Sequence, residues 1–220
     1  MKYIVALVLA LIAGCQPRVD PPLHPAVEQN TWRLISASYR CTSFQIDSEL
    51  IVSAGHCGNS DIFIFKNGED VLPGQLVGVS ATTDIALFFV PGANRPGLPV
   101  SKSLPREGDR LNLGGFPARV TESEVFSSVD VVSVDKDHAG GTYAHSMGPS
   151  VWPGMSGGPV LDCHNEVVGV ISSISQEVFG DPQDPESLVR ETSNFAVDLH
   201  NVLMEIINTA NASIALPEEE

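Results

Sequence analysis

An all-β domain followed by one C-terminal helix is the fold this sequence predicts. From Trp32 onward, short runs rich in β-branched and apolar residues alternate with Gly, Pro, Asn and Asp, the punctuation of strands and turns. Near the C-terminus the period changes, and Phe195, Leu199, Val202, Leu203, Ile206 and Ile207 recur at helical spacing. Hydrophobic residues form 43% of the 220, enough for a sizeable core in one domain or two small halves.

The first strand-like runs are Arg33 to Tyr39, Leu50 to Ala54, Asp61 to Phe65, Gln75 to Val79 and Ile85 to Val90. A second set follows at Asp109 to Leu113, Val125 to Val134, Thr142 to Ser146, Pro159 to Asp162 and Val167 to Ser172. So many short strands at close spacing fit a sandwich or a barrel. The helix is expected over Asn194 to Ala210, with Ser193 or Asn194 as its cap. Its face lacks cations, which favours packing on the domain over lying on a membrane.

The ends carry a different signal. Lys2 precedes an apolar run from Tyr3 to Ala13, too short at ~1.5 Å per residue to cross a hydrocarbon core about 30 Å thick. Residues 1–14 therefore read as a signal peptide. Leu11-Ile12-Ala13-Gly14-Cys15 resembles a bacterial lipobox, which implies cleavage before a lipidated Cys15. Gln16 is not the aspartate that retains many lipoproteins at the inner membrane, so the outer membrane is favoured in a Gram-negative host. Gln16 to Asn30 holds four prolines and few large apolar residues, as an extended tether would. The expected layout is signal peptide, lipidated cysteine with tether over 15–30, folded domain over 31–210 and acidic tail over 211–220.

The formal charge is −15, with acidic clusters at Asp181 to Glu191 and Glu218 to Glu220. Self-repulsion and solubility explain this balance, and nucleic-acid binding is excluded because phosphates require a basic surface. No cofactor is expected. A metal site at Cys163 and His164 lacks a second ligand pair and is not expected either.

Three segments carry chemistry, in this order: Ser53-Ala54-Gly55-His56-Cys57, Thr83-Asp84-Ile85-Ala86-Leu87 and Gly154-Met155-Ser156-Gly157-Gly158-Pro159. A serine hydroxyl is a poor nucleophile near neutral pH, so it needs a neutral imidazole and a carboxylate that fixes the tautomer. It also needs donors for the oxyanion, and flanking glycines suit a turn whose N–H groups point outward.

These segments resemble the trypsin-like serine peptidases of the chymotrypsin fold, over about 180 residues from Thr31 to Ala210. The resemblance implies two six-stranded antiparallel barrels with a cleft between them, and the C-terminal helix is expected to pack on the second. It further implies His56 as general base and acid, Asp84 as orienting carboxylate, Ser156 as nucleophile, and the amides of Gly154 and Ser156 as the oxyanion hole. Leu50 to Cys57 is similar to the strand and turn that present the family's histidine. Glu166 to Ser172 is similar to the strand bordering its cleft, with Ser172 against the aspartate. Asp47 and Asp61 are rival carboxylates, but only Asp84 precedes an Ile-Ala-Leu run of the type that buries the family's aspartate. Cys41 and Cys57 stand at the separation of a recurrent family disulfide, whose loop would stabilise by about 3 kcal/mol. Cys163 is then left alone and is expected to be a buried small hydrophobe.

Departures from the family are informative. Met155 replaces the acidic residue that digestive members place before the nucleophile, so activation by pairing a new N-terminal amine with that acid has no partner here. Met155, short loops and Ser193 to Val197 are closer to bacterial members. The pocket for the residue before the scissile bond is expected between the stretch Ser150 to Pro153, with Val151 in it, on one side and Ser172, Ser173 and Ile174 on the other. It contains no acid, so a strong lysine or arginine preference is disfavoured, and Ile174 narrows the cleft. His24, His138, His145, His164 and His200 lack a nearby nucleophile motif. The implied function is a serine endopeptidase acting on a protein or peptide substrate at the cell envelope. The competing expectation is a silent trypsin-fold lipoprotein that only binds; oligomeric state is not legible.

Overall fold

The structure, a computed structural model, describes residues 25–118, 125–137, 139–147, 151–179 and 188–215. The signal peptide, Cys15, most of the tether, Ser150, His24, His138 and the end of the acidic tail lie outside them.

Two closed six-stranded antiparallel barrels form the molecule. The first comprises β1 (Thr31–Ser36), β2 (Arg40–Asp47), β3 (Leu50–Ser53), β4 (Phe63–Asn67), β5 (Asp70–Val79) and β6 (Ala86–Phe89), in the order β1-β2-β3-β6-β5-β4. The second comprises β7 (Arg110–Gly115), β8 (Val125–Lys136), β9 (Thr142–Met147), β10 (Pro159–Leu161), β11 (Val167–Phe179) and β12 (Leu188–Val197), in the order β10-β11-β12-β9-β8-β7. Closure removes unpaired strand edges from both sheets. Trp32 and Leu34 alternate with half-exposed Arg33 and Ile35 along β1, the period of a strand with one face in the core. Phe44, Ile51, Phe65 and Phe88 complete the first core, whereas Leu111, Leu113, Val160, Ile171 and Phe195 fill the second.

The sequence expectation misses β2. Cys41, Thr42, Ser43, Phe44 and Gln45 are all buried although several are polar, so the strand lacks an alternating pattern. It is covered on both faces, inside by the barrel and outside by the turn carrying Ser156. Residues 25–30, expected as tether, form a short helix α1 (Pro25–Asn30) that buries Val27 and Asn30.

The C-terminal helix also departs from expectation. Residues 194–197 belong to β12, with Phe195 paired to Ala144 and Ala196 to Tyr143. Asp198 adopts φ 65°, which ends the strand, and α2 spans Leu199–Ala215. Asp tolerates that left-handed geometry better than most residues. The helix was expected to pack on the second barrel. Instead Leu199, Val202, Leu203 and Ile206 join the core of the first, with contacts to β5 and to β11. Gly78 explains the approach: a Cβ there would lie 2.9 Å from the Ile206 side chain. A helix leaving the second barrel thus grips the first.

Cys41 and Cys57 form a disulfide across a sequence separation of 16. Cys163, by contrast, is half-buried in the turn after β10 and is disulfide-bonded rather than solitary.

Removing the buried part of Ile206 should leave a cavity that β5 and α2 cannot both close. Ile206→Ala is expected to lower unfolding free energy by about 2–4 kcal/mol, measured as a lower denaturant midpoint at unchanged slope.

Candidate active site

Each predicted segment ends at the junction of the barrels. His56 lies in a single 3-10 turn, Gly55–Gly58, directly after β3. The disulfide at Cys57 fastens that turn to β2. Asp84 lies in the loop between β5 and β6, and buried Ile85, Ala86 and Leu87 anchor it in the first core.

The carboxylate of Asp84 is held from both barrels. Its Oδ1 accepts the His56 backbone N–H at 2.8 Å, while Oδ2 accepts from His56 Nδ1 at 2.9 Å and from Ser172 Oγ at 2.6 Å. Because an ionised carboxylate only accepts, Nδ1 carries the imidazole proton and Nε2 is left as the acceptor. The hydrogen bond to Asp84 raises the His56 pKa above its usual value; partial burial works against this, and the Asp84 charge reinforces it. Burial alone would raise Asp84, but hydrogen bonds from His56 and Ser172 and the imidazolium charge hold it below the usual carboxylate range. The rival acids are elsewhere. Asp47 accepts the Ser48 N–H, and Asp61 is exposed without contact to His56.

Ser156 sits between β9 and β10 in a turn that leaves little room for side chains. Gly154 and Gly157 adopt φ 97° and 87°, respectively. A Cβ on Gly154 would lie 2.5 Å from the Ala118 nitrogen, and one on Gly157 2.1 Å from the Thr42 carbonyl oxygen. Glycine is required at both positions on conformational and steric grounds. Between them Met155 is fully buried in the second core against Gly115, so an apolar anchor replaces the acid of the digestive enzymes.

Hydrogen bonding in this turn selects two donors. The N–H of Met155 donates to Trp152 at 3.0 Å, that of Gly157 to Ile171 at 2.7 Å and that of Gly158 to Met155 at 2.9 Å. Among the described residues, the N–H groups of Gly154 and Ser156 donate to nothing. Two free amides flanking a serine hydroxyl are what an oxyanion requires.

The hydroxyl itself is turned away from the base. Ser156 Oγ donates to the Ser172 carbonyl oxygen at 3.4 Å, and no hydrogen bond joins it to His56. Ser172 therefore touches both Ser156 and Asp84, and the expected trio is gathered with its final link open. Apo sites of this type often carry loose nucleophile–base contacts that tighten with substrate.

Two further residues join the barrels at the site, and the sequence reading missed both. Thr42 donates its N–H to the Ser156 carbonyl at 2.8 Å and its Oγ1 to the Gly154 carbonyl at 2.8 Å, while accepting the Phe116 N–H at 2.9 Å. Tyr143 Oη accepts the Asp84 N–H at 3.0 Å. Burial and the nearby Asp84 and Asp137 charges hold the Tyr143 phenol above its usual pKa, against the lowering effect of that hydrogen bond, so it stays neutral. Thr42 was hidden because β2 was not recognised. Tyr143 lies in an expected strand, but its partner is distant in sequence.

The described residues expected at the specificity pocket differ in exposure. Val151 and Ser172 are buried, whereas Ser173 is exposed and Ile174 is 39% exposed at the rim. His145 stands apart from the base, bonded through Nδ1 to Asn194 at 2.7 Å. The Cys41 and Cys57 sulfurs lie close to His56, but a disulfide offers no thiolate to a metal.

Comparison with known proteins agrees with this geometry. The profile of the trypsin-like peptidase domain matches residues 41–170. The serine proteases MT3772 and Rv3671c, from two strains of Mycobacterium tuberculosis, are 23% identical over 170 residues covering 70% of this chain. The chain spans only 42% of their length. Among solved structures, the active form of the Rv3671c protease from M. tuberculosis superposes with a TM-score of 0.67 at 18% identity, over 85% of this chain and 87% of that one. The serine endoprotease from Yersinia pestis gives 0.64 at 16% identity, over 87% of this chain and 68% of the other. At such identities the structural likeness speaks for the fold alone, and the profile match carries the assignment: the chain belongs to the trypsin-like peptidase family.

Proposed function

We propose that the protein is a serine endopeptidase that cleaves protein or peptide chains through an acyl-enzyme. The observation that carries this reading is the arrangement around Asp84, with His56 oriented by it and Ser156 beside it under two unpaired amides. In the proposed reaction, Ser156 Oγ attacks the scissile carbonyl carbon as its proton passes to His56 Nε2. The Gly154 and Ser156 amides take the oxyanion, and His56 then returns the proton to the leaving amine as the C–N bond breaks. Water, deprotonated by the same imidazole, releases the acid product and restores the serine. Asp84 keeps its charge throughout and compensates the imidazolium. The residue before the scissile bond would sit between the stretch Ser150 to Pro153 on one side and Ser172 to Ile174 on the other. No acidic residue lies in those two stretches, which suits a small or medium uncharged side chain.

Exported and lipid-anchored placement is part of the same proposal. It rests on the signal-like residues 1–14 and on Cys15 in its lipobox context. Mass spectrometry of the protein extracted from bacterial membranes is expected to show an N-terminal Cys15 carrying diacylglycerol, lost in Cys15→Ser. An unmodified Cys15, or a free N-terminal segment, would refute the anchor.

A fluorophosphonate probe tests the catalytic reading. Labelling of wild type and none of Ser156→Ala is the expected result; an unlabelled wild-type protein would instead favour the silent binder.

The pH dependence has a definite sign. His56 must be neutral to accept the proton, and Asp84 raises its pKa, so kcat/KM should rise with pH through a midpoint above the usual imidazole value. Asp84→Asn removes the cause of the upward shift, so that midpoint should move to lower pH while turnover falls about 10⁴-fold. An unmoved acid limb in kcat/KM profiles would separate Asp84 from His56.

A further inference from the structure

The outer face of the second barrel carries a polar cavity of about 330 Å³ beside the catalytic carboxylate. Strand register assembles it. His145 of β9 lies opposite Asn194 of β12, which lies opposite Ser173 of β11; Tyr143 and Ser175 stand two residues along the same strands, and Asp135 of β8 lies opposite Tyr143. Residues two apart share a face, and the adjoining Ala144 and Phe195 fill the second core, so this set faces outward. Two residues of the cavity wall hold Asp84 itself. Tyr143 Oη accepts the Asp84 N–H at 3.0 Å, and Ser172 Oγ donates to Asp84 Oδ2 at 2.6 Å. The Ser172 carbonyl also receives Ser156 Oγ, so one residue of the wall touches both carboxylate and nucleophile.

Hydrogen bonding within the wall fixes what it offers a ligand. Asn194 Nδ2 donates to Ser173 Oγ at 3.1 Å and to Ser175 Oγ at 2.7 Å, while its Oδ1 accepts from His145 Nδ1 at 2.7 Å. Each serine oxygen is thereby an acceptor, and its own proton has no acceptor among the described residues. The Tyr143 phenol is in the same condition, its oxygen taking the Asp84 N–H and its proton left over. Three hydroxyl donors therefore line the cavity. The complementary acceptor is Asp135, an exposed carboxylate 3.9 Å from His145 Nε2 that makes no hydrogen bond among the described residues. Asp137 is already committed, since its Oδ1 accepts the Ala139 and Gly141 N–H groups.

We infer that this cavity is a subsite for a primary-amide side chain, as in glutamine, at a substrate position other than the one before the scissile bond. It rests on the endopeptidase reading: Ser172 and Ser173 belong both to this cavity and to the pocket proposed for that residue, so a chain seated there runs past it. The amide oxygen accepts from the serine and tyrosine hydroxyls, and the amide NH2 donates to Asp135. A carboxylate of the same length lacks that donor and meets the Asp135 charge. An ammonium leaves the hydroxyl donors without an acceptor, and an apolar side chain satisfies neither wall.

The test uses matched fluorogenic peptides that carry Gln, Glu, Lys or Met in turn at each position other than the one before the scissile bond. Wild type is expected to favour Gln over Met by about tenfold in kcat/KM at one such position, the yield of two ordinary hydrogen bonds. Ser175→Ala and Asp135→Ala should each lower the Gln rate several-fold toward the Met rate and leave the Met rate unchanged. Asp135→Lys should move the preference from Gln to Glu, a gain that a misfolded variant cannot show. Equal Gln and Met rates at every position, or a Gln preference that survives both alanine variants, overturn the proposal. Peptide binding to Ser156→Ala, followed by fluorescence anisotropy, separates this inference from the endopeptidase reading. Tighter binding of the Gln peptide, lost in Ser156→Ala/Ser175→Ala, supports the subsite even if wild type proves inactive, and equal affinities refute it even if wild type cleaves.

Discussion

The site depends on one carboxylate held by two separately formed barrels. Asp84 is anchored in the first core by the apolar residues after it, yet its charge is satisfied by His56 from the first barrel and Ser172 from the second. Its backbone is tied to the second barrel as well, through Tyr143. An ionised group in this half-buried position is costly unless its lone pairs are filled. Here the groups that fill them are the base itself and a serine beside the nucleophile, so the interaction that stabilises the charge also aligns the chemistry.

Docking of the barrels follows from the same principle. Thr42 uses its backbone N–H and its hydroxyl to grip two carbonyls of the nucleophile turn, and a third bond from Phe116 fixes that hydroxyl. With these carbonyls satisfied from across the interface, the N–H groups of Gly154 and Ser156 are left without an acceptor among the described residues. Met155 anchors the turn from beneath without a charge, so the geometry needs no ion pair with a liberated chain terminus. The helix α2, by gripping the first barrel while covalently continuing the second, limits how far the halves can separate.

Much of this was legible in the sequence because the relevant signals are local. Glycines around Ser156, the apolar run after Asp84 and the strand leading to His56 each state a backbone requirement within a few residues. Elements with mixed environments were less legible. The polar strand β2 is buried on both faces, so it lacks the alternation that identifies a strand, and Thr42 went unnoticed with it. Phe195 fell by chance on the helical spacing of α2 although it points into the second barrel, which moved the expected helix start into β12. The destination of α2 turned on Gly78, an absence of side chain whose meaning depends on a partner far along the chain.

The central claim is that Asp84 fixes the tautomer and charge of His56. Nuclear magnetic resonance of the labelled imidazole tests it directly. The account predicts a downfield Nδ1 proton, protected from exchange, on a ring that titrates above the usual imidazole value, with both features lost in Asp84→Asn. A neutral ring protonated at Nε2, or a titration indifferent to Asp84, would contradict it.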